Sequence, residues 1–313
     1  MDFAQHTSDG SQSSSSELSH SDLSSAVSEI EDPLEQLAKR ADQISFTTDA
    51  SLRQTLEHHQ HMLQQDKIRD QYLVFTSVPL TQSSELSDDQ SRTSKYCRFS
   101  FNLKTGTLIA KLMPGPAHEL AGRSFDLLIS QELCAMNIDC EVWPFGSTTV
   151  TLGNWKKEAD CCWAPGSTVE RLSFVVEVGL SESARHLALD AHGWLETNAS
   201  PVNLVVTIGI RREYPEIIFR RWELLHGPGT PTRSSTPSTS CTAFIKLSRI
   251  DSTTSVTGEC YVNGTLMNTT QLDLPFDKIV NRPPRQPLEK DLVIPEQKLR
   301  YFAERIWNVQ GLL

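Results

Sequence analysis

The residues from Arg171 to Ile210 constrain this chain most. They read RLSFVVEVGL, then SESARHLALDAHGWLETNASP, then VNLVVTIGI. The first and third segments are apolar and β-branched, as buried strands are. Between them, Ala184, Leu187, Ala191, Trp194 and Leu195 fall at helical spacing, and Ser181 or Ser183 can cap the start. A strand, a helix and a strand with short joints make a βαβ unit, in which the strands run parallel. The segments 171–180 and 202–210 are therefore expected to be parallel neighbours, joined by a helix over about 183–196. One carboxylate, Glu177, interrupts the first strand. A lone buried charge is costly, so Glu177 needs a cationic partner or a metal.

The rest of the chain builds around this unit. Residues 1–45 are Ser- and Asp-rich, with few large apolar side chains, and are expected to be disordered without tertiary contacts. Residues 50–74 read as a helix with a sparse stripe of Leu52, Leu56, Leu63 and Ile68; its His58, His59 and His61 lie beside no acid or cysteine cluster and suit an exposed helix. TQSSELSDDQSRTSK (81–95) is a linker, and 96–112 a hairpin turning near Lys104–Gly106. A helix opens at His118–Glu119, two strands flank Pro144–Gly146, and EYPEIIFRRWELL follows the βαβ unit as a strand. The order indicates an α/β fold, a mixed β-sheet flanked by helices. GPGTPTRSSTPSTS (227–240) reads as a linker, and 241–313 as a β-rich extension with a C-terminal amphipathic helix over 296–310.

Charge and cysteines exclude some classes. The formal net charge of -10 argues against a dedicated high-affinity nucleic-acid binder with a basic field. The seven cysteines form no CxxC, which suits a reduced compartment and argues against a zinc ribbon. The N-terminal sequence lacks the pattern of a signal peptide, and no run approaches the roughly 18 apolar residues of a membrane span. The expected location is intracellular, in cytoplasm or nucleus, with no membrane partner.

Three acids could carry chemistry: Glu119 at a helix start, Asp160 before a strand, and Glu177 inside the next strand. If the last two strands are antiparallel neighbours, Asp160 and Glu177 converge. Converging carboxylates suit magnesium, which can activate water and stabilise charge on a phosphate. Lys156 and Lys157 lie near Asp160 and could touch a phosphate. Glu119 also has a plainer reading as a helix-dipole carboxylate. His186 and His192 suit solvent-facing positions on the helix. Arg211, Arg212, Arg220 and Arg221 could follow a phosphate backbone, or pair with Glu213, Glu216 and Glu223.

KKEAD, a strand carrying VVEVG, then SES, a helix ending DAHGWL and another strand together resemble the PD-(D/E)XK nuclease superfamily. More narrowly, with HE at 118–119, GS at 146–147 and the run VNLVVTIGI…WEL, they resemble fungal restriction-endonuclease-like proteins related to the bacterial Uma group. The resemblance spans about 96–226 and implies a restriction-endonuclease-like core. It implies metal-dependent cleavage of DNA or RNA, with Asp160, Glu177 and Glu119 as magnesium ligands. Carried over residue by residue, Asp160 stands in AD rather than PD, and the lysine of the pattern falls at Gly179. Lys157 is the substitute in this reading, positioning water or phosphate. The rival reading is a catalytically inactive relative that binds or scaffolds.

Overall fold

The computed structural model describes residues 32–82, 96–113, 115–168, 171–180, 184–225, 237–262 and 264–313. The expected caps Ser181 and Ser183, most of the linker 81–95 and residues 226–236 lie outside them. The chain is α/β, with mixed sheets flanked by helices and many strands toward its C-terminal end.

The central βαβ unit forms as expected. Strand β9 (Phe174–Leu180) pairs in parallel with β10 (Leu204–Ile210), Glu177 standing opposite Thr207, and the helix Ala184–Glu196 connects them. Antiparallel β8 (Cys161–Pro165) flanks β9, with Cys161 opposite Val176. On the other side β11 (Glu216–Leu225), β12 (Ser238–Ile250), β13 (Thr253–Val262) and β14 (Thr265–Asn268) extend the sheet in turn, and β5 (Val142–Gly146) closes its far edge. The register of β11 with β12 runs from Glu216↔Ser248 to Leu225↔Ser238. The strands expected in a C-terminal extension thus continue the sheet of the βαβ unit, because their apolar residues complete one core.

A second sheet has the order β1 (Asp42–Ser45), β2 (Tyr72–Thr76), β4 (Leu108–Leu112), β3 (Cys97–Asn102), β7 (Trp155–Glu158) and β6 (Thr149–Leu152). The two strands around Pro144–Gly146 therefore belong to different sheets. The short β15 (Leu272–Leu274) and β16 (Leu292–Ile294) pair separately.

Seven-residue strands buried on both faces need helices on both sides. The helices are numbered α1 (Pro33–Arg40), α2 (Asp49–Gln64), α3 (Pro116–Ala135), α4 (Ala184–Glu196), α5 (Phe276–Val280) and α6 (Glu296–Gln310). Val176, Val178, Val206 and Ile208 face α3 and α6, where Phe125, Phe302 and Trp307 fill the core. Val175 and Val205 face the other way, toward Trp194 and Ala191 of α4. Tyr72, Val74, Ile109 and Trp155 of the second sheet meet α1 and Leu189 of α4, so α4 lies between the sheets. No helix among the described residues is long and apolar enough to cross a membrane.

Two expectations need correction. Residues 72–76 form strand β2 rather than the end of a helix, and α2 stops at Gln64. The run YLVFT is aromatic and β-branched, which favours a central strand. The expected disordered tail reached residue 45, yet Asp32 caps α1 through Leu34 N at 2.8 Å and accepts from Trp155 Nε1 at 3.1 Å. Leu34 and Leu37 supply the apolar area that a tail dominated by Ser and Asp lacks, and both are buried. Leu34→Ala is expected to cost about 2–5 kcal/mol in urea unfolding. A cost under about 1 kcal/mol would show that α1 does not dock.

Candidate active site

Side chains alternate faces along a strand. On β4, Ala110 and Leu112 join the core against α2, while Ile109 faces α1 and α4. Lys111 shares the parity of Ile109 and so points between the sheets. Lys157 shares the parity of Trp155, and Glu177 that of Val175. On α4, Asp190 and Trp194 are one turn apart. This geometry gathers three acids and two lysines in one interior, and all five are buried: Lys111, Lys157, Asp160, Glu177 and Asp190.

The contacts are dense. Lys111 Nζ donates to Asp160 Oδ2 at 2.8 Å and to Glu177 Oε2 at 2.5 Å, and lies 3.5 Å from Asp190 Oδ2. Trp194 Nε1 donates to the other Glu177 oxygen, Oε1, at 2.6 Å. Lys157 Nζ donates to Asp190 Oδ1 and lies 4.8 Å from the centre of the Trp194 ring. The Tyr72 hydroxyl donates to Asp190 Oδ2 at 3.3 Å. Asp160 Oδ2 also accepts from Val178 N at 2.8 Å. His118, in the first turn of α3, places Nε2 at 3.4 Å from that oxygen and 3.0 Å from the Val178 carbonyl. Arg98 Nε stands 3.7 Å from Asp160 Oδ1 and 3.5 Å from Glu158 Oε1.

These neighbours set the protonation of each group. Burial opposes the Asp160 charge, but Lys111, His118 and Arg98 outweigh it and hold this carboxyl well below the usual range. Burial, followed by the Asp190 charge, pushes Glu177 well above it. Asp190 is lowered, because Lys157 and Lys111 overcome its burial. Burial also opposes the His118 charge, yet Asp160 raises the imidazole to about 9. Burial pushes Glu158 up to about 7.

Beside the cluster opens a cleft of about 110 Å³, lined by Arg98, His118, Glu119, Arg123, Asp126 and Asp160 among others. Among its lining residues, Asp126 Oδ1, Asp160 Oδ1 and His118 Nδ1 are buried without a hydrogen-bond partner. Glu119 Oε1 lies 3.8 Å from His118 Nδ1, and the interaction with His118 lowers the Glu119 carboxyl.

The structure brings Asp160 and Glu177 onto one ammonium, across the antiparallel pair β8 and β9. Glu119 shares the cleft with Asp160; it is half-exposed, and Glu177 does not line that cleft. Lys157 is paired with Asp190 instead of reaching over Asp160. Its alternation with Trp155 turns it toward α4. Lys111, Asp190, Trp194, His118 and Arg98 complete the cluster, and none was singled out from the sequence as a member of an acid–base set. His192 is buried rather than solvent-facing, with Nδ1 3.0 Å from Glu196 Oε1 and its ring against Trp222. Three of the arginines pair internally, Arg211 with Glu216 at 3.4 Å, Arg212 with Asp66 at 2.5 Å and Arg221 with Glu223 at 3.0 Å, while the Arg220 guanidinium lies over the Phe244 ring.

The donor set does not fit magnesium as arranged. Lys111 Nζ occupies the point between Asp160 Oδ2 and Glu177 Oε2 where a bridging ion would sit. Trp194 already engages the remaining Glu177 oxygen. Among the described residues, no group of three or more His, Cys, Asp or Glu side chains could hold a metal ion.

No protein-family model matches the chain. No curated protein matches it. A search of solved structures finds a distant likeness to a candidate nuclease belonging to DUF820 from Anabaena variabilis, at 12% identity and a TM-score of 0.29, covering 44% of this chain and 75% of that one.

Proposed function

We propose that the chain is a nuclease-like protein that acts on phosphodiesters of DNA or RNA at the cleft beside Asp160. The observation that carries this reading is the convergence of Asp160, Glu177 and Lys111. The lysine arrives from β4, in the other sheet, while Gly179 lies on the Glu177 face of β9 without a side chain of its own. Asp160 is held ionised and His118 protonated at neutral pH. The imidazolium can donate a hydrogen bond to a phosphate oxygen, and the ionised Asp160 can accept one from an attacking water. Arg98 and Arg123 give the cleft the cations that a phosphate needs. In this reading Lys111 orients the two acids, and Glu119 adjusts the charge on His118. Lys157 holds α4 through Asp190 and contacts no substrate.

The test is a cleavage assay on single- and double-stranded DNA and RNA, with and without magnesium or manganese. At least one substrate should be cut, and Asp160→Asn or His118→Gln should reduce the rate by about 100-fold or more. Absence of cleavage by the unmodified chain on every substrate and with either ion would overturn the reading. It would leave the inactive binding module as the better account of the cluster.

A further inference from the structure

We propose that Lys111 is the resident cation of the Asp160–Glu177 pair, standing where a divalent ion would otherwise bridge two carboxylates. The proposal rests on the geometry of the cluster and not on cleavage.

Three observations lead to it. First, a single nitrogen touches one oxygen of each acid, at 2.8 and 2.5 Å, as a bridging cation does. Second, that nitrogen is enclosed. Lys111 is 5% exposed and Glu177 1%, while magnesium usually keeps several of its waters. Trp194 Nε1 takes the other Glu177 oxygen, and Val178 N donates to the same Asp160 oxygen that Lys111 contacts, which leaves Asp160 Oδ1 toward the cleft and away from the shared point. Third, the lysines already oppose the acids. Lys111 and Lys157 stand against Asp160, Glu177 and Asp190, so a further double charge would meet two ammonium groups at close range. The stem of Lys111 comes from a strand buried on both faces, so the ammonium is delivered by the fold itself.

Two consequences separate this reading from a lysine that merely neighbours a metal site. The unmodified chain should take no divalent ion between Asp160 and Glu177. Removing the ammonium should create a place for one, because the point between Asp160 and Glu177 would be vacated and only Lys157, His118 and Arg98 would face the three acids.

The experiment measures binding directly, so a failed cleavage assay would not bear on it. Manganese is titrated into the unmodified chain, Asp160→Asn, Lys111→Met and the double variant Lys111→Met/Asp160→Asn. Free ion is followed by electron paramagnetic resonance, and melting temperature is measured in parallel with magnesium. Lys111→Met should gain a saturable site and several degrees of melting temperature on adding the ion, and the double variant should lose both gains. The unmodified chain should show no binding that depends on Asp160. Asp160-dependent binding by the unmodified chain would overturn the proposal, as would a folded Lys111→Met that gains no site. Where Lys111→Met does not fold, the comparison of the unmodified chain with Asp160→Asn decides: equal titrations support the resident ammonium, and a site lost with Asp160 refutes it.

Discussion

Lys111→Met should destabilise the fold by about 3–5 kcal/mol, the usual cost of removing one partner from a buried ion pair. The side chain volume is nearly conserved, so little of the loss comes from a cavity. What remains is electrostatic. Asp160 and Asp190 are held ionised by Lys111 together with other cations, and Glu177 is already raised by burial and by Asp190. Without the ammonium, repulsion among three carboxyl groups has Lys157, His118 and Arg98 to oppose it nearby. Glu177→Gln should cost less than Lys111→Met, since it removes one acid, although its amide NH2 must then face a donor, Trp194 Nε1 or Lys111 Nζ. The double variant Lys111→Met/Glu177→Gln should therefore recover part of the loss. Urea unfolding of all four proteins gives the coupling between the two sites, and a value within about 0.5 kcal/mol of zero would show that the pair is idle.

The sequence revealed Glu177 because a charge in an apolar strand has no bland explanation. The same logic applies to Lys111 in LIAKL, where every residue of the strand is buried. A buried acid implies a buried base, and a search for the most apolar strand with one cation would have found it. Its strand belongs to another sheet, however, and strand pairing at long range cannot be read from local pattern. Asp190 was visible between Leu187 and Trp194 at helical spacing, but its partner Lys157 reaches it only because α4 lies between the sheets. The parallel βαβ unit was legible since its two strands are almost wholly apolar and its helix carries apolar residues at helical spacing. The single sheet running from β5 to β14 was not, because the segment before β12 has the composition of a linker while the strand after it pairs with β11 from Ser238 to Ser248, with one register shift. The N-terminal boundary was misjudged for a simpler reason. A helix of eight residues carries too few apolar positions to offset the Ser-rich average around it.

Stability should fall by about 3 kcal/mol between pH 6 and pH 10 through His118 alone, since a shift from an ordinary 6.5 to about 9 is worth that much in linkage. The sign follows from the folded value lying above the unfolded one. The imidazolium contribution is fully present below about 6.5 and is lost as pH rises through about 9. The groups around the ring decide this. Asp160 and Glu119 favour the charge, Lys111 opposes it, and burial opposes it most. Asp160 acts in another window: its folded carboxyl is lowered, so its stabilisation is present above 3.8 and lost as pH falls further. Glu177 and Glu158 are raised, so each also weakens the fold as pH rises past 4.5. The absolute slope is therefore shared, and the His118 share must be read by difference. His118→Gln keeps a donor for the Val178 carbonyl at 3.0 Å but cannot take a charge. Relative to the unmodified chain it should be destabilised by about 3 kcal/mol at pH 6 and nearly equal at pH 10. A difference that stays flat across that range would remove the His118–Asp160 ion pair from the account. It would also take away the charged hydrogen-bond donor assigned to the cleft.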